Sequence, residues 1–439
     1  MKWSVTGFLS ILLLFTAACS GTSDRQTAAS PAASATPKLP PQAIQTTPLT
    51  PTPIQISLDR LPPPFATNSA SKSPNVIPIP SNPTLKVPEG FTVNVFAEGL
   101  DRPRWLALTP SGEVLVTETR QNQIRRLHDT DGDGVADENA VFATAANGLD
   151  IPFGMAFAGG YFFLGNTASV LRFPYQPGQA QLTGVGEKIA DLPGGGYNQH
   201  WTRNVIPDPN GQRLYVSIGS ESNVDSEPLP RASVQVMDLD GSNQQTFAAG
   251  LRNPVGLAFH PVSQELYTTV NERDGLGDDL VPDYLTRLQF GEFYGWPYAY
   301  LTPDRLDPRQ VQNGRSTNPE LAARTRTPDV LFQAHSAALG LQFYDGKTFP
   351  ERYHKGAFVA FRGSWNRNEG TGYKLVFVPF DAEHRPLGYY EEFLSGFLVD
   401  PAGPTTWGRP VGVLVLPDGS LLFTEEANGR IYRVQYSGR

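Results

Sequence analysis

Five short segments place arginine or histidine just before an apolar, strand-like run, and these residues are the best candidates for chemistry. They supply Arg102 and Arg104, His200 and Arg203, Arg252 and Asn253, His335, and Arg409. Guanidinium forks match carboxylate geometry, so gathered on one face they would hold a compact ligand carrying several carboxylates. His200 lies in GGGYNQHWTRNV, where glycines permit close approach. An imidazole titrates near neutrality and can take a proton from a substrate hydroxyl. A structural histidine bonded to backbone is the alternative from sequence alone. In GLRNPVGLAF the Asn-Pro step forces an extended turn that would aim Arg252 and Asn253 at a ligand. The alternative there is an arginine–carboxylate pair that stabilises the fold.

Two acidic segments could hold hard cations through oxygen ligands. From Asp129 to Asp137 the chain reads DTDGDGVAD, with oxygens from Asp129, Asp131, Asp133 and Asp137 and glycine at the sixth place. That spacing is the pattern of a structural calcium loop. The second segment, Asn271 to Gly275 with Asp278 and Asp279 beyond it, fits a cation site or a solvated loop equally well. Ser364, in FRGSWNR, lacks the strand–elbow–helix setting of a hydrolase nucleophile.

These residues need a frame. From Pro88 onward, strand-like runs alternate with Gly, Asp, Asn and Pro turns, and 42 glycines and 40 prolines suit many short strands. A polar lead, an apolar strand, a turn and a second strand recur, beginning at Asp101, Asp150, His200, Arg252, His335 and Gly408. The first four copies are spaced by roughly 50 residues and the later gaps are longer, which reads as propeller blades with insertions. The expected fold is therefore an all-β, six-bladed β-propeller over residues 87–437, with its six leads converging on one face. The final run, GRIYRVQY, could pair with FTVNVFA (Phe91–Ala97) and close the ring. The net charge is −8 and no basic block stands out, so a nucleic-acid partner is not expected.

Residues 1–18 read as a signal peptide, from Lys2 and the apolar run Gly7 to Ala18. Cys19, the only cysteine, follows two alanines as a lipidated lipobox cysteine would. Residues 19–86 are rich in Pro, Ser, Thr and Ala and read as a disordered tether. The expectation is an exported lipoprotein held at the cell envelope through its lipid anchor only.

HWTRNV, GLRNPVGLAF, NERDGLGDDLVPDYL with FYGWPY, FRGSWNR and GRPVGVLVLPDGSLL, in this order, resemble the soluble sugar dehydrogenases that depend on pyrroloquinoline quinone (PQQ). That group includes the glucose, aldose-sugar and L-sorbosone dehydrogenases, and the resemblance covers about residues 87–437. It implies PQQ and calcium at the channel mouth, oxidation of an aldose or sugar aldehyde, and an electron acceptor of unknown identity. His200 would be the base and Arg252 would sit beside the quinone oxygens. Arg203, Asn253, Arg362 and Arg409 would contact the cofactor, and the backbone carbonyls of Glu272 and Arg273 would hold its calcium. A calcium-dependent lactonase-type hydrolase and a non-catalytic envelope binding propeller are the competing expectations.

Overall fold

The computed structural model describes residues 43–194 and 200–438. Among them the only α-helix is Pro319–Ala323, and almost everything else regular is strand. Each of the six repeat copies begins one antiparallel meander. The first strands of the six sheets are Leu106–Leu108, Met155–Ala158, Val205–Pro207, Pro254–Phe259, Ala338–Phe343 and Pro410–Val415.

Their order around the molecule follows from side chains at the first strands. Trp105, Phe153, Val255, Leu339 and Val411 form one buried cluster with Trp201 packed against it. Each sheet thus contributes one residue to a central plug. Neighbouring first strands also approach closely through a glycine that the repeats share. A Cβ on Gly256 would meet the Leu339 carbonyl oxygen at 2.5 Å, and one on Gly412 would meet that of Arg104 at 2.4 Å. The second contact joins the last sheet to the first, so the ring is closed and the fold is a β-propeller. Strands such as Val114–Glu118 are buried along their whole length because both faces of the sheet pack on neighbours. This is why they read as continuous apolar runs without alternation.

The closing strand is the one expected. Arg430–Tyr436 pairs antiparallel with Phe91–Ala97, with Val434 opposite Val93. This leaves the last sheet built from both ends of the chain and removes an open edge.

The tether expectation is corrected over residues 43–86. Ala43–Pro48 pairs parallel with Thr84–Val87 and antiparallel with Phe91–Ala97. Ile44, Leu85 and Val87 join the largest buried cluster. The composition misled because ordering here runs through backbone ladders and a few aliphatic anchors, which a Pro/Thr-rich segment can supply. The signal peptide and Cys19 lie outside the described residues.

Candidate active site at the centre of the ring

The loops that lead into the first strands surround a cavity of about 370 Å³ above the plug. Val255, Leu339 and Trp201 form its floor, and His200, Arg252, Asn253, His335 and Arg362 line its wall. The sequence leads therefore do converge. A second cavity of about 450 Å³ shares Arg104, Trp201 and Arg362 with the first and adds Arg102, Arg120, Arg409 and Glu426.

His200 enters from the loop before Val205–Pro207. Its Nδ1 lies 2.9 Å from the Ser220 carbonyl oxygen and 3.0 Å from Ser220 Oγ. A carbonyl only accepts, so Nδ1 carries the proton and Nε2 is left as the basic nitrogen, with no partner among the described residues. Burial first, then the Arg252 charge, push the imidazole well below its usual value. The ring is neutral and its lone pair is free. Gly219 makes room for this placement: a Cβ there would stand 2.5 Å from His200 Cβ and 2.6 Å from Asn253 Oδ1.

Arg252 lines the cavity, yet all five of its N–H donors are engaged. Nε donates to the Asn223 carbonyl and Nη2 to Asn223 Oδ1 and Asp274 Oδ2, the last at 2.8 Å. Nη1 donates to the carbonyls of Glu272, at 2.6 Å, and Asn271. Arg252 thus acts through its field and by holding the 271–274 turn. Burial works against charge on Asp274, but Arg252 and His335 hold its carboxyl down at about 2. Asp274 also accepts from Asn366. Asp283 lies under the same turn and accepts from the Glu272 and Ala337 N–H groups; burial pushes its carboxyl up to about 7.

The adjoining cavity is an arginine cluster around one carboxylate. Glu426 bonds Arg104 and Arg362, and Arg409 Nη1 stands 3.9 Å away. Burial opposes its charge, but Arg362, Arg104 and Arg409 keep Glu426 at about 2. Burial and Arg362 in turn lower Arg409 to about 10. Five arginines and one glutamate line this space, with Arg104 buried and Arg102 and Arg120 exposed at its edge, so positive charge predominates there.

Several expected site residues sit elsewhere. Arg203 is fully buried and turned away from the cavity. Its Nη1 donates to the His200 and Thr202 carbonyls and its Nη2 to that of Pro193. It braces the loop that carries His200 and is not a ligand contact. The Arg273 side chain is likewise buried, bonded to Glu272 Oε2, Asp307 and the carbonyls of Pro297 and Ala299. The Glu272 carbonyl faces Arg252 rather than open space. In the acidic hairpin, carboxylate oxygens of Asp129, Asp131 and Asp137 come within 4.8 Å of one another. Asp133 stays outside that trio, with Oδ1 accepting from the Val135 N–H.

Sequence reasoning missed Glu426; for Arg252 it offered a carboxylate pair as the alternative, and the structure supplies Asp274 as the partner. The signal available was electrical: so many converging arginines need a buried counter-charge, and EE in LLFTEEANG was the nearest one.

A family profile described as TrAA12-like matches residues 85–282 and 288–437. An uncharacterised protein of Borreliella burgdorferi is 29% identical over 370 residues, covering 80% of this chain and 91% of its own. A PQQ-dependent pyranose dehydrogenase of Coprinopsis cinerea is 25% identical over 416 residues, covering 80% of this chain and 54% of that protein. The chain thus spans about half the length of that dehydrogenase. A structure of a Trichoderma reesei carbohydrate-active enzyme of family AA12 superposes with TM-score 0.69 at 20% identity, covering 83% of this chain and all of the other.

Proposed function

Because the chain belongs to the TrAA12-like family, we propose that it is a PQQ-dependent dehydrogenase oxidising an aldose or related sugar aldehyde, with the six sheets as its blades. The observation that carries this reading is a neutral histidine, anchored through Nδ1 with Nε2 free, at the edge of an arginine-rich cavity.

The residues fit a polycarboxylate quinone. Arg362 keeps about 29% of its side chain exposed, and the Arg409 guanidinium makes only long contacts, 3.4 Å to the Arg362 and Gly363 carbonyls and 3.9 Å to Glu426. Both retain capacity for carboxylates. Asn253 also lines the cavity, and its Nδ2 makes only a long 3.4 Å bond, to Asn271 Oδ1. Arg362 and Arg409 would hold the quinone's carboxylates and Asn253 would contact its ring. The bound quinone supplies a two-electron acceptor for the hydride leaving the sugar carbon.

The protein's part is proton handling and orientation. His200 Nε2 takes the proton of the sugar hydroxyl being oxidised. Ser220 holds the ring and fixes the tautomer. The imidazolium that forms gains stabilisation from the Asp274 carboxylate, while the plug below keeps water from the floor of the cavity.

Two calcium ions complete the reading. One would be held at the 271–274 turn by the Arg273 carbonyl, since that of Glu272 is taken by Arg252, and a structural one by Asp129, Asp131 and Asp137. The chain is exported and anchored to the envelope through lipidated Cys19. A lactonase-type hydrolase finds less support, since Asp274 and Glu426 are each committed to arginines. The test is dye reduction across a panel of aldoses, with and without PQQ. Turnover that needs PQQ supports the reading; lactone hydrolysis without PQQ would replace it.

A further inference from the structure

The N-terminal segment does more than close a sheet. After Ala43–Pro48 it crosses the face that bears the cavity and bonds the loops of three successive sheets. Phe65 N–H donates to the Leu276 carbonyl at 2.8 Å, and Thr67 Oγ1 accepts from Asp278 N–H at 2.8 Å. Lys72 N–H donates to the Trp365 carbonyl at 2.6 Å, and Lys72 Nζ to that of Asn368 at 2.7 Å. Asn75 and Ile77 N–H groups then bond the carbonyls of Pro404 and Thr406. This strap holds down the turn that carries Trp365. The turn is pinned from its other side by Asn366 on Asp274, and by Arg367 Nη2 on Asp279 at 2.7 Å.

Trp365 itself is the anomaly. It lines the cavity, yet it is 43% exposed, on a backbone fixed from two sides. The cavity's other indole, Trp201, already has Arg104 over its face at 5.0 Å and Phe153 against its edge. Among the described residues, no ring or cation stacks on Trp365. A rigid, unpartnered indole at the lip of a cavity walled by charged and amide groups is suited to a ligand with one apolar face and a hydrogen-bonding rim. A pyranose ring has that form, with its axial C–H groups on the face and hydroxyls around the edge.

We infer that Trp365 is the stacking wall for the pyranose ring of the substrate and that Lys72, through the strap, positions it. This rests on the sugar-oxidising reading above and adds the surface that selects a ring over an open chain. Lys72 touches no substrate and acts only through the 364–368 turn.

The experiment measures equilibrium binding of D-glucose and of acyclic D-sorbitol by calorimetry, together with KM and kcat on D-glucose. The proteins are the full chain and its Trp365→Phe, Trp365→Ala, Lys72→Ala and Lys72→Pro variants. Wild type should prefer D-glucose to D-sorbitol. Trp365→Ala should lose that preference and raise KM at least tenfold with kcat within twofold, while Trp365→Phe restores most of it. Lys72→Pro, which removes the N–H bond, should raise KM several-fold, and it should add nothing on top of Trp365→Ala. Lys72→Ala keeps the N–H and should sit between wild type and Lys72→Pro, which separates positioning from misfolding. A Trp365→Ala KM within twofold of wild type overturns the proposal, as does a kcat loss with KM unchanged, additive double-variant effects, or equal binding of ring and open chain. PQQ uptake, read separately by absorbance, fails if the oxidation reading is wrong, whereas sugar binding still reports on Trp365.

Discussion

His200 Nδ1 lies 2.9 Å from the carbonyl oxygen of Ser220, two residues beyond the second strand of its own sheet, Arg213–Ile218. Ser220 in turn bonds the next sheet: its N–H donates to the Arg252 carbonyl at 2.7 Å. His200 and the arginine that lowers its proton affinity are therefore held through one residue.

His200 is kept unprotonated. Its folded pKa lies below the ordinary 6.5, so the basic form survives as pH falls through the range where a free imidazole would charge. The acid limb of kcat/KM should fall below pH 6.5. His200→Ala should lower kcat by about 10²- to 10⁴-fold while PQQ uptake persists. Measured pH–rate profiles with an acid limb at or above 6.5 would contradict the assignment.

Gly219→Ala tests the packing behind the base. The added methyl would press on His200 Cβ and Asn253 Oδ1. Overpacking of this kind costs about 1–3 kcal/mol, and here the strain falls on the site. Activity should drop by at least tenfold with only a modest loss in melting temperature.

The acidic hairpin makes a separable prediction. Its tip docks on Phe91–Ala97, the strand that pairs with the closing strand: Asn94 Nδ2 donates to the Gly134 carbonyl and Ala136 N–H to that of Phe96. Calcium bound at Asp129, Asp131 and Asp137 should stabilise the closure, by about 2.7 kcal/mol at a hundredfold excess over Kd. Thermal melts should shift upward with calcium in wild type. Asp131→Ala should abolish that shift and leave PQQ uptake intact.

Trimming the N-terminus should show a sharp threshold. A chain beginning at Ala43 keeps every described contact and should melt as the full chain does. One beginning at Pro88 loses Ile44, Leu85 and Val87 from the core, each contributing about 1.5–3 kcal/mol. It should melt well below wild type, as read by circular dichroism.

The ring was legible in the sequence because each copy pairs a polar lead with an apolar strand and four of them share the glycine at Gly154, Gly256, Gly340 and Gly412. The same register brought His200, Arg252, Asn253 and His335 to one cavity, while Arg362, which follows the second strand of its sheet, was indicated only by the family resemblance. Arg203 looked equivalent to its neighbours, but a lead can turn an arginine inward to satisfy carbonyls, and no pattern in HWTRNV distinguishes the two. Residues 43–86 were missed because their order comes from backbone pairing with strands distant in sequence, which Pro/Thr-rich composition conceals. Glu426 was missed because a counter-charge is placed by tertiary packing rather than by spacing.

The central claim is that arginines from separate sheets form one site for a polyanionic quinone. It is tested most directly by titrating the purified chain with PQQ and following its absorbance, in wild type and in the Arg362→Ala and Arg409→Ala variants. The account predicts one equivalent bound per chain and a loss of about 10- to 100-fold in affinity for each variant, from charged hydrogen bonds of about 1.5–3 kcal/mol each. No saturable uptake by wild type, or uptake that neither substitution weakens, would contradict it.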